Sequence, residues 1–259
     1  MPRRAREQSP TDFYHIMIRG INKEKIFEKS KHKKFMIEIL SQSIEELQVD
    51  IGAYCIMDNH MHLIMKGDLF EIAKLMKKIN IRFAMRYNNN LDRVGHVFQD
   101  RYRSENIYND NHLLNAVSYI HNNPVKAGIS KEIQDYEWSS YLGYFTKTNL
   151  NISDKIKDMV IELAGGVGGL REFHEKENIT VFIDTEEEVK IIKDEIFNRT
   201  ISGFCQKEGI RDASQIKRDP EKIDNLIKIL LGQDAFTYRE IAEVLEVNKN
   251  YVYKVSIDN

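Results

Sequence analysis

The sequence predicts an α+β protein, with a four-stranded sheet and its helices in the first part of the chain and an all-α region after it. Three observations predict this. Before about residue 145, stretches with a period of two alternate with stretches of helical period. Beyond Ile152 the strand-like runs cease and helical spacing takes over. Of the 259 residues, 42% are hydrophobic and 30% charged, enough for a real core and too apolar for a disordered chain.

The elements follow in order. Phe13 to Gly20 (FYHIMIRG) reads as a strand. Lys31 to Gln48 places Phe35, Ile39, Leu40, Ile44 and Leu47 at helical spacing. Ile51 to Met57 and His60 to Met65 are strand-like runs around an Asp58-Asn59 turn, and they read as the central strands. Leu69 to Asn88 is an amphipathic helix with Ile72, Leu75, Met76, Ile79 and Phe83 on one side, stopped by Asn88 to Asn90. Val94 to Ile107 is mostly extended. Asn111 to Asn122 is a short helix ended by Pro124, which cannot continue it. The order β-α-β-β-α-β plus a helix is the split-βαβ, ferredoxin-like arrangement.

Residues 130–150 are aromatic and irregular. Ile152 to Leu163 reads as a helix that stops at the glycines of AGGVGGL, a segment without the GK[ST] of a phosphate loop. Arg171 to Asn178 reads as helix, Glu186 to Glu188 as a solvated helix start, and the rest as four or five short helices. The expected domains are a catalytic one over 1–145, a helical connector over 146–195 and a helical C-terminal domain over 196–259.

Composition excludes several classes. Cys55 and Cys205 are too few for a disulfide framework or a four-cysteine zinc site. No apolar run has the length of a membrane span, and no apolar region follows the N-terminal arginines. A reducing cytoplasm is the expected compartment. The net charge of −2 divides into +4 over residues 1–150 and −6 over 151–259, so the halves are suited to different tasks.

Four features carry chemistry. In His60-Met61-His62, alternation on a strand turns both imidazoles to one side and Met61 into the core, and two neutral imidazoles on one face suit a divalent cation. Tyr119 and Asn123 are four residues apart and share a helix face. Asn123 offers a third, oxygen ligand; Tyr119 offers a phenol whose ionisation a nearby metal would favour. Packing of the tyrosine and a helix stop at the asparagine is the alternative. A basic stripe of Lys74, Lys78, Arg82 and Arg86, flanked by Lys77, lies opposite the apolar face of its helix and suits a phosphate backbone or a plain solvated surface. In FTYREIAEVLEVNKNYVYKV, the inward spacing of Ile241, Ala242, Leu245 and Val252 is that of a helix-turn-helix. Asn248 would cap its second helix, and Lys249, Asn250, Tyr251, Tyr253 and Lys254 would face a major groove. Glu246 stands where such a turn usually carries glycine.

Five segments in order make a resemblance. They are Arg19-Gly20, Met57 to His62 (MDNHMH), Gly95 to Tyr102 (GHVFQDRY), Tyr119 to Ala127 (YIHNNPVKA) and Trp138 to Tyr141 (WSSY). Over roughly Phe13 to Tyr144 the chain resembles the single-tyrosine HUH transposases, in particular the REP-associated tyrosine transposases of bacteria. The resemblance implies His60 and His62 as paired metal ligands, Asn123 as the third, Mg²⁺ or Mn²⁺ as the cation, and Tyr119 as the nucleophile. It implies nicking and rejoining of single-stranded, hairpin-bearing DNA through a 5′-phosphotyrosine. Arg101 and Arg103, in Gln99 to Arg103, would lie along the DNA. The C-terminal helix-turn-helix would recruit duplex DNA or a hairpin stem, and the protein would be nucleoid-associated. Single chains and homodimers are both open. The competing readings are a domesticated, catalytically silent DNA-binding regulator and a metal-free RNA-binding module. Retention of all four proposed site residues favours the enzyme. The lack of stacking aromatics other than Tyr54 on the strands read as central disfavours the RNA module.

Overall fold

The computed structural model describes residues 6–44, 46–146, 152–176, 182, 186–210, 216, 219–233 and 235–257. The alternating part of the chain forms β1 (Phe13–Arg19), α1 (Ser30–Ile44), β2 (Val49–Ile56), β3 (His60–Gly67), α2 (Leu69–Asn90) and β4 (Arg103–Asn106). The four strands make one antiparallel sheet in the order β2-β3-β1-β4. The central strands are therefore β3 and β1, and β2 lies at an edge, where sequence reading had put a central strand. The helical crossover after β1 leaves a gap one strand wide, and the tight turn after β2 drops β3 into it.

Strand alternation gives this sheet two faces. The register sets Arg19, Met17 and His15 of β1 opposite His60, His62 and Ile64 of β3. Those residues share one face. The other face carries Ile16, Ile18, Met61 and Leu63, all almost completely buried, and α1 and α2 pack on the sheet. Asp68 caps α2 by accepting from the Phe70 amide, and Ile72, Leu75, Met76, Ile79 and Phe83 are its buried stripe. The helix runs through the three asparagines to Asn90 instead of stopping at Asn88. Asparagine in a helix costs less than about 0.7 kcal/mol relative to alanine, too little by itself to end a helix already formed.

The stretch expected to be extended over 94–107 is mostly loop. Only Arg103–Asn106 pairs with β1, over Tyr14 to Met17. The other end of β1 is met by an isolated bridge from Gly20 to Phe98 and by the Gln99 amide donating to the Arg19 carbonyl. Residues 100–102 loop between these two attachments.

Helix α3 (Asp110–Lys126) contains Pro124 and does not end before it. The proline forfeits its own amide bond, yet the Ala127 amide still donates to Asn123 and the Ile129 amide to Pro124. The last turn therefore closes around the missing donor. Helix α3 packs on β2 and β3. The aromatic segment after it forms α4 (Tyr141–Phe145), and α5 (Asp154–Leu163) and α6 (Val167–Glu175) pack against α3. The last two residues of the helix expected over Arg171 to Asn178 lie outside the described residues. Where β2 bulges between Ile51 and Ala53, the Tyr144 hydroxyl donates to the Gly52 carbonyl at 2.6 Å.

The contacts divide the chain into two compact units, Met1–Asn178 and Ile179–Asn259. The connector expected over 146–195 spans that division. The second unit contains α7 (Glu186–Glu208), α8 (Pro220–Leu231), α9 (Tyr238–Leu245) and α10 (Lys249–Ile257). The first of these, at 23 residues, is not short. Its interior lacks proline, and it ends only at Gly209, whose positive φ lets the Ile210 amide return to the Cys205 carbonyl. Phe204, Leu226, Ile227, Leu230, Ile241, Leu245, Val252 and Val255 form the core of this unit. Among the described residues, no helix is long and apolar enough to cross a membrane.

Candidate active site

The site begins with the turn that starts β3. Lys33, almost wholly buried, donates from Nζ to the Asp58 carboxylate at 2.9 Å and to the Tyr136 hydroxyl at 3.1 Å. The Tyr136 hydroxyl donates to the Ile56 carbonyl at 2.7 Å. The Phe27 amide donates to the Asp58 carbonyl and the Gly20 amide to that of Asn59. An added Cβ at Gly20 would collide with the Glu24 carbonyl oxygen, so only glycine lets β1 leave the sheet this close to the turn. The strand that follows therefore starts in a fixed register, with His60 and His62 on the α3 side.

His60 is 3% exposed and His62 not at all. Their ring centroids are 4.9 Å apart. Tyr119 of α3 sets its ring edge-on to His62, 5.8 Å away between centroids. Asn123 lies one turn further along the same helix face and is 8% exposed. Burial, then the neighbouring His60 and His15, push the His62 pKa well below its ordinary value. His62 is thus neutral at pH 7, the state a metal ligand needs. Lys126 holds its ammonium 5.3 Å from the centre of the Tyr119 ring, placing a positive charge beside the phenol.

The donor set fits a divalent cation. His60 Nδ1 is 2.6 Å from the Asn59 amide oxygen and His62 Nδ1 is 2.9 Å from His15 Nε2. Engaging Nδ1 in a hydrogen bond leaves coordination to Nε2, the usual division of labour in metal-binding imidazoles. Among the described residues no group of three or more His, Cys, Asp or Glu side chains is arranged to hold a metal.

The proposed DNA contacts separate into groups. Lys77 and Arg101 line a cleft of about 760 Å³ together with Arg6, Asn80, Phe98 and Tyr102. From Lys78 onward the basic stripe on α2 turns toward α1 and the segment just after it. Lys74 pairs with Glu71 at 2.7 Å and Lys78 pairs with Glu46. Arg82 donates to Gln42 at 2.6 Å, and Arg86 lies 4.0 Å over the Phe35 ring. Arg103 lies on β4, directly opposite Met17. On α10, Lys249, Asn250 and Lys254 are exposed. Tyr251 instead packs on the core of its unit and donates to Asp224, which, ahead of burial, raises its phenol to about 12.

Sequence reading assigned no role to three residues at this site. His15, fully buried, sits behind His62, and Glu105 stands directly opposite His15 on β4. Arg19 stands directly opposite His60. Its Nε is buried with no hydrogen-bond partner among the described residues. The alternation of His15, Met17 and Arg19 on one strand was the available signal, but it points at the site only once the register with β3 is known.

The family model described as "Transposase IS200 like" matches residues 11–123. A protein of Haemophilus influenzae named as a REP-associated tyrosine transposase is 28% identical over 111 residues, which cover 39% of this chain and 63% of that protein. The matched region thus spans less than two thirds of the relative's length. A solved structure of a REP-associated tyrosine transposase bound to a REP hairpin aligns with a TM-score of 0.49 and 18% identity. That alignment covers 59% of this chain and 92% of the other.

Proposed function

We propose, from the match of residues 11–123 to the family model described as "Transposase IS200 like", that this protein is a metal-dependent DNA strand transferase. It nicks and rejoins single-stranded, hairpin-bearing DNA through a 5′-phosphotyrosine on Tyr119. The observation that carries the reading is the Tyr119 ring, 5.8 Å from the ring of the buried His62, which has the buried His60 beside it. The strand order β2-β3-β1-β4 with two helical crossovers supports the ferredoxin-like reading of the fold.

His60 and His62, through Nε2, and Asn123 would hold Mg²⁺ or Mn²⁺. When bound, the cation polarises the phosphodiester and favours the phenolate. The rest is done by the chain. Tyr119 gives up its proton and its oxygen attacks phosphorus, so the Tyr O–P bond forms as the P–O3′ bond breaks. The departing 3′ oxygen takes up a proton. One phosphoester is exchanged for another, and the covalent intermediate conserves the bond energy for rejoining by a 3′-hydroxyl. Lys126, over the Tyr119 ring, and Arg19, opposite His60, would supply positive charge to the reacting phosphate.

The cleft bearing Lys77 and Arg101 would take the single strand. In the second unit, α9 begins with a capping box from Thr237 to Glu240, and Glu246 joins it to α10 in the left-handed conformation. Both features support a helix-turn-helix, with Lys249, Asn250 and Lys254 outward toward duplex DNA or a hairpin stem.

Cleavage of a labelled single-stranded hairpin in Mn²⁺ tests the reading. His62→Ala is expected to lower cleavage about 100-fold or more, since direct loss of a ligand exceeds the 10- to 100-fold cost of losing a ligand's supporting partner. Undiminished cleavage by that variant contradicts the metal site.

A further inference from the structure

His15 is a buried histidine with a defined place in a chain of groups. Its Nε2 lies 2.9 Å from His62 Nδ1. Its Nδ1 lies 3.8 Å from the Glu105 carboxylate, which is one-third exposed. His15 and Glu105 are a directly opposed cross-strand pair, and His62 is the diagonal neighbour of His15 on the other side. Three strands therefore contribute one residue each to a line that runs across the sheet face and ends at the ring facing Tyr119. The His15 ring also meets Tyr119 edge-on, with centroids 6.0 Å apart.

The direction of this line follows from charge. At 3.8 Å the Glu105 carboxylate makes no hydrogen bond to His15, but its charge favours the imidazole proton on the nearer nitrogen, Nδ1. Its Nε2 is then an acceptor. His62 Nδ1 must donate to it, and the lone pair of His62 falls on Nε2. The same outcome is reached independently at His60, where the Asn59 amide oxygen can only accept, so His60 Nδ1 donates across 2.6 Å. Both imidazoles are thus fixed in one tautomer by different partners. His15 cannot itself be a ligand through Nε2, because that nitrogen is spent on His62.

We propose that His15, oriented by Glu105, is a positioning residue that holds the His62 ring and its tautomer ready for a divalent cation. The inference rests on the metal-site reading above. It goes further in giving a role to two residues outside the proposed ligand set. The logic is that of the carboxylate–histidine–metal arrangements in which an outer partner orients a ligand.

The test uses the full chain without DNA and has two readouts. The first is the tautomer of His62 in metal-free protein, read from the ¹⁵N shifts of labelled histidine. The second is Mn²⁺ affinity by calorimetry. Wild type is expected to show His62 protonated on Nδ1. His15→Phe, which fills the space but accepts nothing, is expected to mix the tautomers and weaken Mn²⁺ binding about 10- to 100-fold. His15→Gln retains an acceptor oxygen and is expected to bind Mn²⁺ within about threefold of wild type, a rescue that loss of packing alone does not predict. His62 protonated on Nε2 in wild type overturns the relay alone and needs no variant to fold. Mn²⁺ affinity of a folded His15→Phe protein equal to wild type overturns the positioning role. Equal binding by wild type and His60→Ala overturns the metal-site reading, and with it the purpose of the relay.

Discussion

A single backbone angle shows how local chemistry and tertiary demand compete at the residue scale. Glu246 ends α9 at φ 56° and ψ 39°. A residue with a Cβ gives up about 1 kcal/mol or more in that conformation. The geometry is retained because Val247 and Val252 must reach the core already formed by Ile241 and Leu245. Glu246→Gly is therefore expected to raise stability by about 0.5–1 kcal/mol, the strain relieved less the added freedom of the unfolded chain. Thermal unfolding checks this, and a lowered melting temperature contradicts it. The same scale shows what was legible in the sequence. His60 and His62 stand two apart on a short apolar run, and period two alone puts them on one face. Tyr119 and Asn123 stand four apart, and helical period does the same for them. His15 and Glu105 are 90 positions apart, and only strand register joins them. No local period carries that information.

At the scale of elements, the strands and helices were readable where one face is buried and unreadable where packing overrides propensity. The strands β1, β2 and β3 appear within two residues of their expected ends, since each is a short apolar run buried on both faces and bounded by turn residues. Pro124 and the run of three asparagines both misdirect a reading from propensity. In α3 the buried stripe runs as far as Pro124 itself, whereas in α2 it ends at Phe83 and the last turn through Asn90 is carried by the helix already formed. The loop over 94–102 is unreadable for the opposite reason: its apolar residues serve a cleft wall and not a strand. That cleft sets an expectation for the basic residues. Lys77 and Arg101 line it, whereas Lys78 and Arg82 are engaged with Glu46 and Gln42. The double variant Lys77→Ala/Arg101→Ala is expected to weaken single-strand binding and to reduce the salt slope by about 0.7 per lost phosphate contact. Lys78→Ala/Arg82→Ala is expected to change both much less. Fluorescence anisotropy across a salt series distinguishes the pairs, and the reverse ranking contradicts the placement of the DNA in the cleft.

The whole molecule carries a pH dependence set by burial. His174 of α6 is 3% exposed. It donates from Nδ1 to the Leu170 carbonyl at 2.8 Å, and its Nε2 lies 2.8 Å from His121 Nδ1. Burial lowers its pKa below the ordinary histidine value. The native protein thus keeps this ring neutral at a pH where the unfolded chain would bind a proton. Stability is full above the unfolded pKa of about 6.5 and declines as pH falls below it, by about 1.4 kcal/mol per pH unit until the native pKa is reached. Urea unfolding between pH 7.5 and 5.5 is expected to show this decline, and His174→Gln a shallower one. A flat profile in wild type contradicts the buried neutral state. Because His121 lies on the same helix as Tyr119, this histidine pair also ties α6 to the helix that presents the phenol.

The central claim is that Tyr119 forms a covalent bond to DNA at a site that requires a metal. Its most direct test is a denaturing gel of wild type and Tyr119→Phe, incubated with labelled single-stranded hairpin DNA in Mn²⁺ or in chelator. The account predicts a slow-migrating protein–DNA adduct for wild type in Mn²⁺ only, none for Tyr119→Phe, and undiminished hairpin binding by that variant. An adduct that persists in Tyr119→Phe, or one that forms equally in chelator, contradicts it.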